Sequence, residues 1–286
     1  MSEPPSAIVS IIVPCFNDGK YLPDAIASAQ AQTYAKIEII VADDHSTDPL
    51  TLRVISDYER KGGIVCRNPE GKKGVCAARN MAISMAKGEY VLNLDADDTI
   101  DPTFTAKAVA VLDANPDVAI CGAKIRCFGL RNNDWQQPEY SYRDLVLEEY
   151  KLVSACFFRR KDWESIGGYD ERLTLGKEDM IFWLDILELG GRVVVLPETL
   201  FFYRIKPYSR SAAIAGWPTD EGITAAMYAL RPAIFQRHVL DFMCLCSRYR
   251  QEKAQIRCLF SWKLMAPVFR LEWFLRQKVK RLFGRV

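Results

Sequence analysis

Histidine is scarce in this sequence: His45 and His238 are the only two among 286 residues. The nine cysteines include no C-x-x-C pair, and only Cys244 and Cys246 sit close together. A zinc site of the usual ligand spacing is therefore not expected. Scattered single cysteines fit a reducing compartment, where Cys serves as a small core hydrophobe. No run reaches the roughly 18 apolar residues that a transmembrane helix needs. Met1 to Ser6 lacks a basic segment and a long apolar stretch, so no secretory signal is expected and the location expected is cytoplasmic. Charge of one sign does not dominate either: 38 Lys+Arg face 36 Asp+Glu, a net +2, which argues against a nucleic-acid partner. A Walker-type G-x-x-x-x-G-K-[ST] loop is also absent.

What the sequence does have is core-forming material. Apolar residues make up 49% and charged residues 26%, enough for one large domain or a domain with an appendage. Over the first 125 residues, strand and helix patterns alternate. Ile8–Val13 (IVSIIV) and Ile37–Ala42 (IEIIVA) are β-branched runs, apolar on both faces, as in buried parallel strands. Short strands are predicted at Ile64–Arg67 and Tyr90–Leu94, with a further one at Val118–Ile125. Helices are predicted at Tyr21–Thr33, Pro49–Lys61 with Asp48 as N-cap, Gly74–Lys87 closed by Gly88, and Pro102–Asn115 with Asp101 as cap. This order predicts an open, mostly parallel sheet with helices on both faces. Leu130–Leu152 reads as an irregular polar loop, Val153–Phe158 as a strand, Glu178–Leu189 as a helix, and Arg192–Leu196 and Leu200–Ile205 as two strands. From Thr219 the pattern is helical.

Ligands of such sheets bind beyond the carboxyl ends of the strands, and the polar clusters lie there. Asp95-Ala96-Asp97-Asp98 follows a strand directly. Three carboxylates in four residues repel one another unless a cation or strong donors intervene. A hard divalent cation, Mn²⁺ or Mg²⁺, meets that need; a solvated turn with a helix cap is the plainer alternative. Asp43–Asp48 ends another strand, where a carboxylate can accept a hydrogen bond from a base imide N–H. Pro14-Cys15-Phe16-Asn17 can set a base against the Phe16 ring, although a lone Phe is more commonly core. Arg79, near the start of a helix, can hold diphosphate oxygens in bidentate fashion or simply carry surface charge. Glu178-Asp179 opens a helix, where acids suit the macrodipole and where a general base could also sit.

Together the motifs closely resemble family 2 glycosyltransferases of the GT-A fold, of the non-processive, bacterial type. The matching stretches are VSIIVPCFND, SAQAQTY, EIIVADDHSTD, GVCAARNMAISMAKGEYVLNLDADD, FFRRKDWESIGGYDE, KEDMIFW and the Tyr203-Arg204 pair, in family order over roughly residues 7 to 211. The resemblance implies a Rossmann-like α/β catalytic domain over residues 1–215, with a nucleotide-sugar half to about 125, an acceptor half to 215, and a C-terminal helical extension over 216–286. It implies that Asp44 recognises the base, with Pro14, Phe16 and Asn17 lining the same pocket. Asp95 and Asp97 match a D-x-D, the first near the ribose and the second on Mn²⁺ or Mg²⁺, with Asp98 assisting. Asp179, preceded by Glu178, matches the catalytic base, Arg79 an arginine near the sugar-diphosphate, and Gly167-Gly168-Tyr169-Asp170 an acceptor-side turn. The implied reaction is inverting transfer of one sugar from a nucleotide-diphospho-sugar, UDP-linked, to a saccharide or lipid-linked acceptor. Two departures stand out. His45 occupies a position where Gly is common, and the Q-x-x-R-W motif of processive synthases is missing. The alternatives are a catalytically silent sugar-nucleotide-binding scaffold and a nucleotidylyltransferase; the latter expects a basic Gly-rich loop after the first strand, where PCFNDGKY stands.

Residues 262–286 carry seven Lys/Arg against one acid, a net +6, leaving −4 for the rest of the chain. Val268, Leu271, Leu275, Val279, Leu282 and Phe283 follow helical spacing, with Phe269, Trp273 and Phe274 widening the stripe. A basic amphipathic helix of this kind suits an anionic membrane surface, and hence peripheral attachment at the cytoplasmic face. Packing on the catalytic domain or on a second subunit is the alternative.

Overall fold

The computed structural model describes residues 7–135, 140–147, 152–174, 176–207 and 219–252. The β-branched opening run forms β1 (Val9–Cys15), buried at every residue. There follow α1 (Leu22–Gln30), β2 (Ile37–Asp43), α2 (Pro49–Arg60), β3 (Ile64–Arg67), α3 (Val75–Met85) and β4 (Tyr90–Asn93). β1 pairs in parallel with β2 on one side and β4 on the other, and β2 pairs in parallel with β3. The expected alternation of strand and helix is present here. Asp48 caps α2 as expected, its carboxylate accepting the Thr51 N–H at 2.8 Å.

The chain continues through β5 (Thr99–Ile100), α4 (Phe104–Ala114), β6 (Val118–Gly129), β7 (Asn133–Trp135), α5 (Tyr142–Val146), β8 (Phe157–Arg159), α6 (Arg160–Ile166), α7 (Glu178–Glu188) and β9 (Arg192–Ile205). Last come α8 (Thr219–Leu230) and α9 (Pro232–Arg237), with residues 239–252 also helical. The sheet runs β3-β2-β1-β4-β8-β6-β9-β5, with β7 beside β6. It is mixed: β8 is antiparallel to β4 and β6, β7 to β6, and β5 to β9, whereas β6 and β9 run parallel. Among the described residues, chain contacts group those up to Pro232 as one unit and those from Ala233 onward as another. No described helix is long and apolar enough to cross a membrane.

Helices cover both faces, and two adjacent residues demonstrate it. Side chains alternate along a strand, so Phe157 and Phe158 of β8 point opposite ways. Phe157 meets Phe104 of α4 edge-on at 4.9 Å, while Phe158 meets Phe182 of α7 at 5.1 Å. α1 and α4 share the Phe157 side with Val9, Ile11 and Val13.

Several boundaries differ from expectation, each for a local reason. The expected strands at 192–196 and 200–205 are one strand, β9, whose register against β6 jumps between Leu196 and Thr199. Pro197 cannot donate to a ladder, so the chain bulges there rather than ending. The segment expected as loop, 130–152, holds β7 and the short helix α5. The strand expected at 153–158 pairs only from Phe157. α4 begins at Phe104, because Asp101 accepts both the N–H and the hydroxyl of Thr103 in a turn that precedes the helix. α3 ends at Met85, before Gly88.

Gly88 serves a different purpose from helix closure. Its N–H donates to Ser10 Oγ at 2.9 Å, and an added Cβ would lie 2.4 Å from that oxygen and 2.6 Å from the Ser10 backbone nitrogen. Backbone cannot yield as a side-chain end can. Gly88→Ala is therefore expected to destabilise the fold by about 1–3 kcal/mol, read as a lower urea midpoint with an unchanged slope.

Candidate active site

At the ends of β1 and β2 the backbone builds a polar shelf. Asn17 adopts a left-handed conformation (φ 55°), and its Oδ1 accepts the N–H groups of Thr47 and Asp48 at 2.8 and 2.9 Å. Ser46 Oγ accepts the Asn17 N–H at 3.0 Å. Asn17 thus ties the two strand-end loops together. Pro14 is buried within β1, whereas the Phe16 ring is 56% exposed, so the core alternative for Phe16 does not hold. Asp44 donates its N–H to Cys15 O, and its carboxylate accepts from Gly74 N at 2.9 Å and Asn68 Nδ2 at 2.6 Å. A carboxylate has about four acceptor positions, which leaves capacity for a ligand N–H. His45 is held by backbone carbonyls of the 69–72 loop. It is half-buried at φ 59°, with Nε2 3.1 Å from Lys72 O. The positive φ is the physical reason a glycine suits that position.

The centre of the site is Arg79, on α3 and 1% exposed. Its guanidinium reaches Asp95 Oδ1 at 2.8 Å and Asp179 Oδ1 at 2.5 Å, with Glu178 Oε1 at 3.8 Å. Burial works against the Arg79 charge, but Asp179 and Asp95 outweigh it and hold the group well above its ordinary pKa. Arg79 is thus not a surface cation; its guanidinium is shared by two acids. Ser154 Oγ donates to the other oxygen of Asp95 at 3.2 Å. The Tyr169 ring lies 5.3 Å from the guanidinium and stacks on Phe182 at 3.8 Å. Asn80, next to Arg79, clamps the 167–170 turn: Oδ1 accepts the Tyr169 N–H and Nδ2 donates to Tyr169 O. Gly167 and Gly168 take positive φ there (78° and 83°). Of the acidic pair at the start of α7, Glu178 is buried and Asp179 keeps a 27% exposed side chain. Asp179 can meet an acceptor; Glu178 lies inside.

The aspartates of 95–98 do not gather as a metal site. Asp95 is held by Arg79. Asp97 Oδ2 lies 2.8 Å from Lys206 Nζ, which also reaches Asp18 Oδ1 at 2.8 Å. Asp98 is buried and accepts the Arg204 backbone N–H at 2.7 Å, so its task is to anchor the end of β9. Burial, with the Asp97 and Asp95 charges, pushes the Asp98 carboxyl well up. Among the described residues no three acidic, His or Cys side chains converge to hold a metal. The donor set as placed therefore does not fit the expected Mn²⁺ or Mg²⁺. The physical reason is that each carboxylate already has its own donor.

Residues distant in sequence thus meet at one edge of the sheet: Asp95 with Arg79 and Asp179, and Asp97 with Lys206. Sequence reasoning missed Lys206, Asp18, Asn68 and Ser154. The signal for Lys206 was weak, a single cation one residue beyond β9. The basic stretch 262–286 lies outside the described residues.

A model described as glycosyl transferase family 2 matches residues 10–175. An uncharacterized Sinorhizobium fredii protein, y4gI, is 39% identical over 215 residues, covering 72% of this chain and 23% of its own length. ExoO, a succinoglycan biosynthesis protein of Rhizobium meliloti, is 28% identical over 261 residues, covering 85% of this chain and 72% of ExoO. Among solved structures, residues 1–349 of Staphylococcus aureus TarS in complex with UDP superpose with a TM-score of 0.59 and 26% identity, over 70% of this chain and 61% of that one. The fold is accordingly of the GT-A type.

Two measurements probe the architecture of the site. Removing the buried cation in Arg79→Met strands two acids, and is expected to cost about 3–5 kcal/mol of stability in urea titrations. Asp170 is held down to about 2, first by the Arg172 hydrogen bonds at 2.8 and 2.7 Å, with Arg231 contributing at 3.2 Å. Its folded pKa lies below the unfolded one, so this stability exists above about pH 4 and is lost as pH falls toward 2. The gap between the native chain and Asp170→Asn is expected to be about 1 kcal/mol at pH 7, after allowing for solvent screening, and to shrink from about pH 4 until it closes near the folded pKa of about 2.

Proposed function

The chain belongs to glycosyl transferase family 2, and from that premise we propose that it moves a single sugar from a UDP-sugar to a hydroxyl of a saccharide or lipid-linked saccharide, with inversion. One observation carries the reading. Arg79 joins Asp95, at the donor edge of the sheet, to Asp179, at the mouth of α7 and 100 positions beyond Arg79 itself. A donor-side acid and an acceptor-side acid are thereby held beside one cation, which fixes their relative position. TarS, which resembles this chain in fold, was solved with UDP. ExoO takes part in succinoglycan biosynthesis. Both support a UDP-sugar donor and a saccharide acceptor.

In this reading uracil lies against the exposed Phe16 ring, and its imide N–H donates to Asp44. Asn68 and Gly74 hold that carboxylate in place. Asp95 serves the ribose side. Asp179 accepts the proton of the acceptor hydroxyl. The freed oxygen attacks the anomeric carbon while the bond to the β-phosphate oxygen breaks on the opposite face, which inverts the centre. The proton ends on Asp179, and the electron pair leaves with UDP. Arg79 orients Asp179 without taking part in proton transfer. A general base contributes on the order of 10²–10⁴ in rate.

The test is calorimetric titration with UDP alongside a panel of UDP-sugars assayed for UDP release with saccharide acceptors. Asp179→Asn is expected to lower turnover by about 10²–10⁴ with UDP affinity unchanged. Asp44→Ala is expected to weaken UDP binding about tenfold or more. Full turnover by Asp179→Asn sinks the base assignment. UDP binding without transfer to any acceptor by the native chain favours the silent scaffold.

A further inference from the structure

We propose that Lys206 is the chain's own cation for the donor diphosphate, standing where a divalent metal was expected. The proposal rests on the sugar-nucleotide reading and adds to it the group that meets the leaving phosphate. Lys206 lies one residue beyond β9. Two of its three ammonium protons are directed at carboxylates, Asp97 Oδ2 and Asp18 Oδ1, each at 2.8 Å. The Tyr21 ring lies 5.1 Å from Nζ, within cation–π range. The side chain is 12% exposed, so the ammonium is sheltered but reachable.

The position is fixed from below. Asp98 takes the Arg204 backbone N–H, and Arg204 Nε donates to Asp97 O at 2.7 Å. The Arg204 guanidinium also lies over the Phe128 ring at 4.4 Å and the Tyr21 ring at 4.9 Å. The end of β9 therefore cannot drift, and Lys206 begins from a defined point on the donor edge. Its four-carbon stem gives the ammonium reach from there.

A protonated amine has no lone pair and cannot ligate a metal. A divalent ion at Asp97 would have to displace an ammonium that two carboxylates already hold. A diphosphate offers that ammonium equivalent acceptors. As the anomeric C–O bond breaks, its electron pair goes to the β-phosphate oxygen, and the ammonium donates a hydrogen bond to the charge that forms. No proton need leave Lys206, since the acceptor proton goes to Asp179.

The experiment measures UDP affinity of the full chain by calorimetry in EDTA and in Mn²⁺. The native chain is expected to bind in EDTA within about threefold of its affinity in Mn²⁺. Lys206→Met should lose about tenfold or more in EDTA, while Lys206→Arg, which keeps the charge, should retain most of it. Thermal unfolding establishes that each variant is folded. Should Lys206→Met fail to fold, Asp18→Asn carries the test. Removing one competing anion should tighten UDP binding in EDTA by about twofold to fivefold; equal or weaker binding overturns the proposal. UDP binding by the native chain only with Mn²⁺ overturns the proposal and leaves the sugar-nucleotide reading standing, as does EDTA-insensitive binding by folded Lys206→Met. No UDP binding in either buffer overturns both.

Discussion

The geometry of the site depends on one buried guanidinium. Arg79 is almost fully enclosed, and a cation in that position is tolerable only if carboxylates face it closely. Folding therefore cannot bury α3 without bringing Asp95 and Asp179 to it. The first follows β4 and the second opens α7, so the requirement of one side chain couples the two halves of the chain. Small residues make the approach feasible. Cys76, Ala77, Ala78 and Ala82 of α3 are all buried, which lets the helix lie close to the sheet with Arg79 reaching the carboxyl edge.

The sheet explains why the remaining polar groups gather at that same edge. β1, β2 and β4 are parallel neighbours, so the loops after them carry Asn17, Asp44 and Asp95 to one end. β6 and β9 also run parallel to each other, and β9 delivers Lys206. β8 runs the opposite way, and the 167–170 turn comes back to the site through α6 and the Asn80 clamp. In the proposed reading, a mixed sheet supplies the donor side from strand ends and the acceptor side from a helix start and a glycine turn.

Most of the first half was legible in the sequence. β1 and β2 announce themselves because strands buried on both faces must be apolar without alternation. Asp48 announced α2 because a cap has a defined chemistry. The second half was less legible. β7 and α5 are three and five residues long, too short for periodicity to speak, and tertiary pairing defines them. β9 looked like two strands because Pro197 interrupts a pattern that the fold merely bulges around. In the site, Glu178 and Asp179 are adjacent and chemically alike. Neighbours on a helix point about 100° apart, so only the packing of α7 distinguishes the buried acid from the one at the opening. Asp98 was grouped with Asp95 and Asp97 by spacing alone. A turn sends it inward, to a backbone N–H that no sequence rule would have paired with it. Lys206 was hidden for the converse reason: its partners, Asp18 and Asp97, lie 188 and 109 positions earlier.

Both close carboxylate pairs share one cation each, but the two cations differ in freedom. Arg79 is a planar donor enclosed on a helix, reaching Asp95 and Asp179 from fixed directions, so it preserves geometry. Lys206 is a point charge on a flexible stem at a strand end, and its hydrogen bonds to Asp18 and Asp97 can be exchanged for others with little rearrangement. A displacement reaction makes these two demands in different places. The acid that receives a proton must stay aligned with the attacking oxygen, because misplacement by an ångström costs orders of magnitude in rate. The leaving diphosphate, in contrast, must be held, neutralised and released. Exchanging the two cations would reverse the properties that the proposed reaction needs at each end: a guanidinium fork beside Asp97 would hold a diphosphate more rigidly, and a lysine at position 79 would no longer reach Asp95 and Asp179 from two fixed directions.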